Sequence, residues 1–201
     1  MHKELGNCGD NAVVTMQAIG NTTPEDTGIE GYYHVVCRDK DGNIKWEEGF
    51  PNLVMAVGKQ LMFDTLLRTS GTYTTVGPFL GLLKSGYTAA ATNTMSITTA
   101  NEFTAYTVGG SAVRGTAVFA AASSTGTTPS NVTTSAATSI TYTITGAGGV
   151  VAGCFLATGT GAVNTQLSTA GTLYSAGNFT TAKTTTVGDT VAVTYSTTAT
   201  S

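Results

Sequence analysis

The run Ser139-Ile-Thr-Tyr-Thr-Ile-Thr145 alternates apolar and hydroxyl side chains without a slip, and few folds accept such a run. In an extended chain successive side chains point to opposite faces, so Ile140, Tyr142 and Ile144 share one face and threonines the other. That is the pattern of a strand with one face on a core and one in water. Thr190-Val-Ala-Val-Thr-Tyr195 repeats the alternation, with Gly188-Asp189 as the turn before it. Gly149-Val-Val-Ala-Gly-Cys-Phe-Leu-Ala157 is almost continuously apolar, which predicts a strand covered on both faces. Val76–Leu83 reads as a further buried strand before a Lys84-Ser-Gly86 turn, and Ala117–Ala121 as another candidate. The glycine-rich pieces Gly146–Gly149 and Gly159–Gly161 read as turns. Many short strands between Gly- and Thr-rich turns predict a mainly β chain with an antiparallel β-sandwich or jelly-roll-like body. A parallel α/β fold would need many more helices.

Charge divides the chain. Only 10% of the 201 residues are charged, where an ordinary soluble domain has about 25%. Beyond Arg68 the ionised side chains are Lys84, Glu102, Arg114, Lys183 and Asp189. The shift falls near residues 69–75. It separates an N-terminal arm (1–30) and a hairpin-plus-helix unit (31–70) from a β body (71–201), the last two reading as one domain. A surface of hydroxyls and small side chains can lie against a partner at little desolvation cost, so the composition favours protein contacts. With a formal net charge of −3 and no run of Lys and Arg, nucleic-acid binding is not expected. No stretch approaches the roughly 18 apolar residues of a membrane span, and the start lacks an apolar signal core, so neither membrane insertion nor secretion is expected.

Gly31–Arg38 and Asn43–Glu48 are β-prone runs flanking Asp39-Lys-Asp-Gly42, a strong short-range hairpin signal. Asp39, Asp41 and Gly42 superficially match a calcium loop, but the later acids are out of register, so the turn explains them better. Phe50-Pro51-Asn52 then opens a predicted helix over about 52–68, capped by Asn52. Its polar residues Asn52, Gln60, Asp64 and Arg68 fall four or eight apart in a single stripe, which predicts a largely buried helix. In the arm, Leu5, Asn7, Asn11, Val13, Val14, Met16 and Ile19 are the candidate protein–protein interface. Tyr87, Phe103 and Tyr106 are expected to anchor a long connection over 87–116, and the Ser/Thr tract 123–138 an exposed one.

Catalytic inventory is thin. The two histidines are His2 and His34, the latter inside a strand. Nothing local marks a nucleophile turn, and no Gly-rich piece carries the Lys-Ser/Thr of a phosphate loop. Glu47 and Glu48 point to opposite faces of a strand and make poor partners for each other. Cys8, Cys37 and Cys154 lack metal-site spacing and read as reduced thiols, Cys37 and Cys154 as small apolar residues within strands. The expectation is therefore no catalytic residues, no cofactor and no metal: a protein that binds by surface.

Two segments carry a resemblance. Asp41-Gly-Asn-Ile-Lys-Trp-Glu-Glu-Gly-Phe-Pro-Asn-Leu-Val54, leading to a helix with Gly58 and Leu66-Leu67, is similar to structural proteins of tailed bacteriophages. So are Thr172-Leu-Tyr-Ser-Ala-Gly-Asn-Phe179 and Val187-Gly-Asp-Thr-Val-Ala-Val-Thr-Tyr195 near the end of the sequence. Residues 87–170 carry no such motif. The resemblance implies a virion component with a β-sandwich body, above all a capsid decoration (cement) protein. Such a protein would bind the major capsid protein, form a dimer or trimer, and reach its place by assembly in the host cytoplasm. A tail component such as a fibre base or adaptor is the alternative. A surface adhesin or a virion-borne glycan hydrolase fits less well, the first for want of a signal sequence and the second for want of clustered acids.

Overall fold

The computed structural model describes residues 28–68, 76–122, 130–132 and 139–200. In chain order the elements are β1 (Gly28–Arg38), β2 (Ile44–Val54), α1 (Ala56–Leu67), β3 (Phe79–Lys84), α2 (Met95–Ala100), β4 (Glu102–Phe103), β5 (Tyr106–Thr107), β6 (Gly115–Thr116), β7 (Ser130–Val132), β8 (Ile140–Ile144), β9 (Gly149–Thr158), β10 (Thr172–Thr185) and β11 (Thr190–Thr200). The fold is mainly β, and every strand pair in it is antiparallel. The candidate interface Leu5, Asn7, Asn11, Val13, Val14, Met16 and Ile19 lies outside the described residues, as do the proposed boundary at 69–75 and most of the 123–138 tract.

One sheet runs in the order β4-β3-β9-β10-β2-β1-β11-β8-β5, with β6 on β3 and β7 on β11. Its two ends, β4 and β5, are separated in the chain only by Thr104 and Ala105, and the Ala105 carbonyl accepts from the Thr145 amide at the end of β8 (2.9 Å). The sheet therefore nearly closes on itself. β6 tightens the seam: a Cβ on Gly115 would collide with the Ile140 side chain of β8. Closure removes the edges at the two ends of the sheet, while β2 and β10 pair only at Leu53–Ala176 and Val54–Ser175 and so keep an open stretch between them.

Alternation holds where the sequence predicts it. Ile140, Tyr142 and Ile144 are buried while Thr141 and Thr143 are exposed. They join Tyr33, Val35 and Cys37 of β1, Phe50 of β2, Leu80 and Leu82 of β3 and Val191, Val193 and Tyr195 of β11 in one interior. Tyr33 is its hub, with ring centroids 5.4 Å from Phe50 and 4.8 Å from Tyr195, and its hydroxyl within 3.0 Å of Ser175 Oγ. Tyr142 places its hydroxyl on the Leu80 carbonyl at 2.7 Å, satisfying a donor that would otherwise be stranded. β9 is buried on both faces because Val151, Cys154 and Leu156 line this interior while Phe155 and Ala157 face a second cluster with Met55, Tyr87, Met95 and Leu173.

The hairpin forms as its sequence predicts. Asp39 accepts hydrogen bonds from the amides of Asp41 and Asn43, both at 2.9 Å, and Gly42 takes a φ of 88°. The helix differs. Asn52 lies in β2, not at a helix start, and α1 begins only at Ala56 with no side-chain cap. Leu53 and Val54 pair with β10, and the Met55 amide donates to the Tyr174 carbonyl (2.9 Å), so sheet hydrogen bonds hold these residues extended against the capping preference. Two further readings are corrected. The strand expected at Ala117–Ala121 is the shorter β6 just before it, followed by the Ala117 amide bonding to the Pro78 carbonyl and an isolated bridge at Phe119. The connection 87–116 holds α2, β4, β5 and β6, with Tyr87, Phe103 and Tyr106 all buried.

Candidate interaction surface

α1 lies on β10 with glycine at the closest approach: a Cβ on Gly58 would stand 2.5 Å from the Tyr174 carbonyl oxygen. Leu61, Met62 and Thr65 follow on the same side, Leu61 toward Gly159 and Met62 toward Tyr174, whose hydroxyl lies 3.7 Å from the Met62 sulfur. This inward choice turns Phe63, Leu66 and Leu67 outward, where they are 63%, 76% and 73% exposed. The expectation of a largely buried helix is thereby overturned, since Gly58 is the one buried residue of α1. With Asn52 in the sheet, the polar stripe loses its first member and the helix packs through small and medium side chains instead.

Residues spaced i, i+3 and i+4 are neighbours on a helix surface, so Phe63, Leu66 and Leu67 form one continuous apolar knob. Beside it runs a shallow groove of about 220 Å³, walled by Leu61, Met62, Thr65, Leu66, Thr158 and Tyr174. Large apolar side chains scattered singly over a surface need no explanation, but three at neighbouring positions at the end of one helix do. Burying what they now expose is worth roughly 3–6 kcal/mol, taking about 70% of the full-burial value for each.

No protein-family model, curated protein or solved structure matches this chain.

Several ionisable side chains of the described residues are engaged in holding the fold, while Asn52 Oδ1 and the Tyr106 hydroxyl are buried without a hydrogen-bond partner. His34 Nε2 and Glu47 Oε1 form an exposed cross-strand pair at 2.8 Å. Glu48, on the other face of β2, spans to β10 where the two strands are not paired: it accepts the Thr180 amide (2.7 Å) and the Lys183 ammonium (2.9 Å). Burial opposes its ionisation, but these donors outweigh that and hold its carboxyl below the usual range. Asp189 behaves alike: burial is outweighed by the Lys45 ammonium and the Thr186 amide (2.8 Å), and its carboxyl is held low. Arg114 and Glu102 are both fully buried and meet side-on, Nε to Oε1 at 2.9 Å and Nη2 to Oε2 at 2.8 Å. The Leu167 amide also donates to Glu102 and the Arg114 guanidinium to the Ser168 carbonyl, so this pair pins the 163–168 loop to β4.

Cys37 and Cys154 are free and buried, as expected of small apolar strand residues. Burial raises both thiols, Cys37 to about 11, with nearby Asp189 adding to the shift. Among the described residues no three His, Cys, Asp or Glu side chains are grouped to hold a metal ion, and no helix is long and apolar enough to cross a membrane. Sequence reasoning missed the outward knob of Phe63, Leu66 and Leu67. Its i, i+3, i+4 spacing was visible in the sequence, but which side of the helix met the sheet was not.

Proposed function

We propose that this protein is a non-enzymatic structural component of a tailed-phage particle, a decoration protein that clamps the head shell by contacts with the major capsid protein and with copies of itself. The observation that carries the reading is the exposed Phe63–Leu66–Leu67 knob on a chain with only 10% charged residues, few of them beyond Arg68. Such a surface is costly in water and cheap to cover with protein. Two further observations support it. The phage-like segments, far apart in sequence, come together: the end of β2 pairs with β10 at Leu53 and Val54, and Gly58 of α1 sits on Tyr174. The carboxylates Glu48, Glu102 and Asp189 and the imidazole of His34 are bound into structural pairs, which suits a protein without a catalytic task. In this reading the nearly closed sheet is a flattened, sandwich-like body, with β1, β11, β8 and β5 in one layer and β10, β9, β3 and β4 in the other. Symmetry lets modest contacts suffice, because each is repeated over the shell.

The test is quantitative mass spectrometry on separated heads and tails of purified particles. The expected result is on the order of hundreds of copies per head. About a dozen copies or fewer, found with tails, would move the protein to a fibre base or adaptor. Absence from both overturns the reading.

A further inference from the structure

We infer that the outer face of β1 and β11 is a glycan-binding site, in which Tyr32 stacks on the apolar face of a neutral sugar residue while Glu30, Ser196 and Thr198 bond its hydroxyls. The inference goes beyond the structural role proposed above and does not rest on it. Its starting point is the posture of Tyr32. Side chains on a strand ordinarily stand roughly perpendicular to the sheet. The Tyr32 ring instead reclines across β2: a Cβ on Gly49 would collide with its hydroxyl and stand 2.7 Å from Cζ and 2.9 Å from Cε1. Glycine at 49 is what lets the ring lie down, and covering that glycine occupies one of its faces. The other is left toward solvent, with the residue 47% exposed.

Register places the polar groups beside the ring. Tyr32 lies opposite Ser196 of β11, Glu30 opposite Thr198, and Pro51 of β2 opposite Tyr32 on the other side. Directly opposed residues share a face with Cβ atoms about 5 Å apart, and i, i+2 neighbours along a strand lie about 7 Å apart. These side chains therefore frame a patch on the scale of one sugar ring. With Gly31 and Asn52 they line a cleft of about 310 Å³. That is the low end of the roughly 300–1,000 Å³ of small-ligand sites, which suits a sugar residue and not a large cofactor. A second cleft of about 230 Å³ continues along the same strands, lined by His34, Arg38 and Thr194 among others. A linear glycan lying along β1 would touch both.

The chemistry of the lining selects the ligand. A sugar ring carries an apolar C–H face and a rim of hydroxyls, each of which donates and accepts. Tyr32 and Pro51 match the first, the Glu30 carboxylate accepts from neighbouring hydroxyls, and the Ser196 and Thr198 hydroxyls bond in either sense. Among the described residues Glu30 is the one charged group lining the first cleft, so a phosphate, sulfate or other anion would meet repulsion without a counter-charge. An apolar peptide side chain would strip water from a carboxylate and two hydroxyls and return no hydrogen bond. A quaternary ammonium would use Tyr32 and Glu30 but leave the hydroxyls of Ser196 and Thr198 idle. A cleft this shallow gives a dissociation constant on the order of 0.1–1 mM, which display of many copies on one particle would raise to useful avidity.

The experiment follows the amide signals of the isotope-labelled full chain by NMR during titration with maltohexaose, cellohexaose, chitohexaose and mannohexaose, each to roughly 10 mM, beside heparin fragments and choline. At least one neutral hexaose should bind saturably, with shifts centred on the amides of Glu30, Gly31 and Tyr32 and of Ser196 and Thr198. Tyr32→Ala should weaken it about tenfold or more with an unchanged circular dichroism spectrum, and Tyr32→Phe, which keeps the ring, should stay within about threefold of wild type. If Tyr32→Ala misfolds, the double change Ser196→Ala, Thr198→Ala carries the test and should also weaken binding. Saturable binding by none of the four, shifts that map elsewhere, binding that these variants leave intact, or binding of heparin or choline alone overturns the inference. The outcomes are separable from the proposed function: a protein found on heads that binds no glycan sinks only the site, and a glycan binder absent from particles sinks only the virion role.

Discussion

Replacing Arg114 by Met tests whether the buried pair, and not the sheet alone, holds the 163–168 loop and β4 in place. The side chain is 0% exposed, its guanidinium makes two hydrogen bonds to Glu102 and one each to the Val163 and Ser168 carbonyls, and it lies 5.2 Å from the Phe155 ring centroid. Methionine keeps the apolar stem and the contact with Phe155 but leaves Glu102 a buried carboxylate with the Leu167 amide as its remaining donor among the described contacts. Breaking a buried ion pair from one side costs about 3–5 kcal/mol, because the orphaned charge stays out of water. For a chain of this size each kcal/mol moves the melting temperature by about 2–4 °C, so a fall of roughly 6–20 °C is expected. Thermal and urea unfolding at pH 7 measure it, with Lys40→Met as the surface control. The Lys40–Asp41 pair is 75% and 64% exposed, and losing it should cost under about 0.5 kcal/mol. If the two substitutions cost the same, burial is not what gives the Arg114–Glu102 pair its weight, and the reasoning fails.

Three further outcomes are expected. Tyr142→Phe leaves the Leu80 carbonyl without its buried donor and should cost about 1–2 kcal/mol in urea unfolding. Asp189 and Glu48 are held below their unfolded values, near 3.9 and 4.3, so their stabilisation is complete above that range and is lost as pH falls through the lowered folded values. An acid titration followed by circular dichroism should therefore be flat from pH 7 to about 5, decline below about 4, and decline at higher pH in Lys45→Ala. Gly81→Ala would drive a Cβ into the Phe155 ring, between the two clusters, and should cost roughly 1–3 kcal/mol, whereas the same change at Gly110, open to solvent, tests only its positive φ.

What the sequence discloses here is whatever depends on period and turn chemistry. Ile140, Tyr142 and Ile144 are buried because alternation alone selects their face, and the Asp39–Asn43 turn closes because Asp39 can bond its own downstream amides. The continuous apolar run of β9 announces burial on both faces without saying that one face meets the sheet interior and the other the helices. The helix was legible as a helix and illegible in its start and orientation. Asn52 is a good local cap, but pairing of Leu53 and Val54 with β10 supplies hydrogen bonds that the cap would have to surrender. Arg114 and Glu102, twelve residues apart in a stretch without periodicity, gave no signal that they would meet, because it is the pairing of both β4 and β6 with β3 that brings them together.

Closure also changes where binding can happen. A Thr-rich open sheet would offer its backbone edges to other chains, and edge pairing is the natural first expectation for such a composition. Here the path from β4 to β5 returns to within two residues of its start, so the ends of the sheet are spent inside the molecule, and the main open stretch of backbone lies between β2 and β10 beyond their two-residue pairing. What remains for a partner is side-chain surface, and over the strands that surface is mostly hydroxyl and weakly adhesive. The helix is the exception. Gly58 lets α1 approach β10 closely, with Leu61 and Met62 continuing that contact, and Phe63, Leu66 and Leu67 are left to face outward. Substituting Gly58 would lift the helix and is expected to weaken any contact made through that face without touching it, a remote effect that sedimentation of Gly58→Ala beside Leu66→Asp would reveal. If Gly58→Ala associates as wild type does, the close approach of helix and sheet is not what presents the knob.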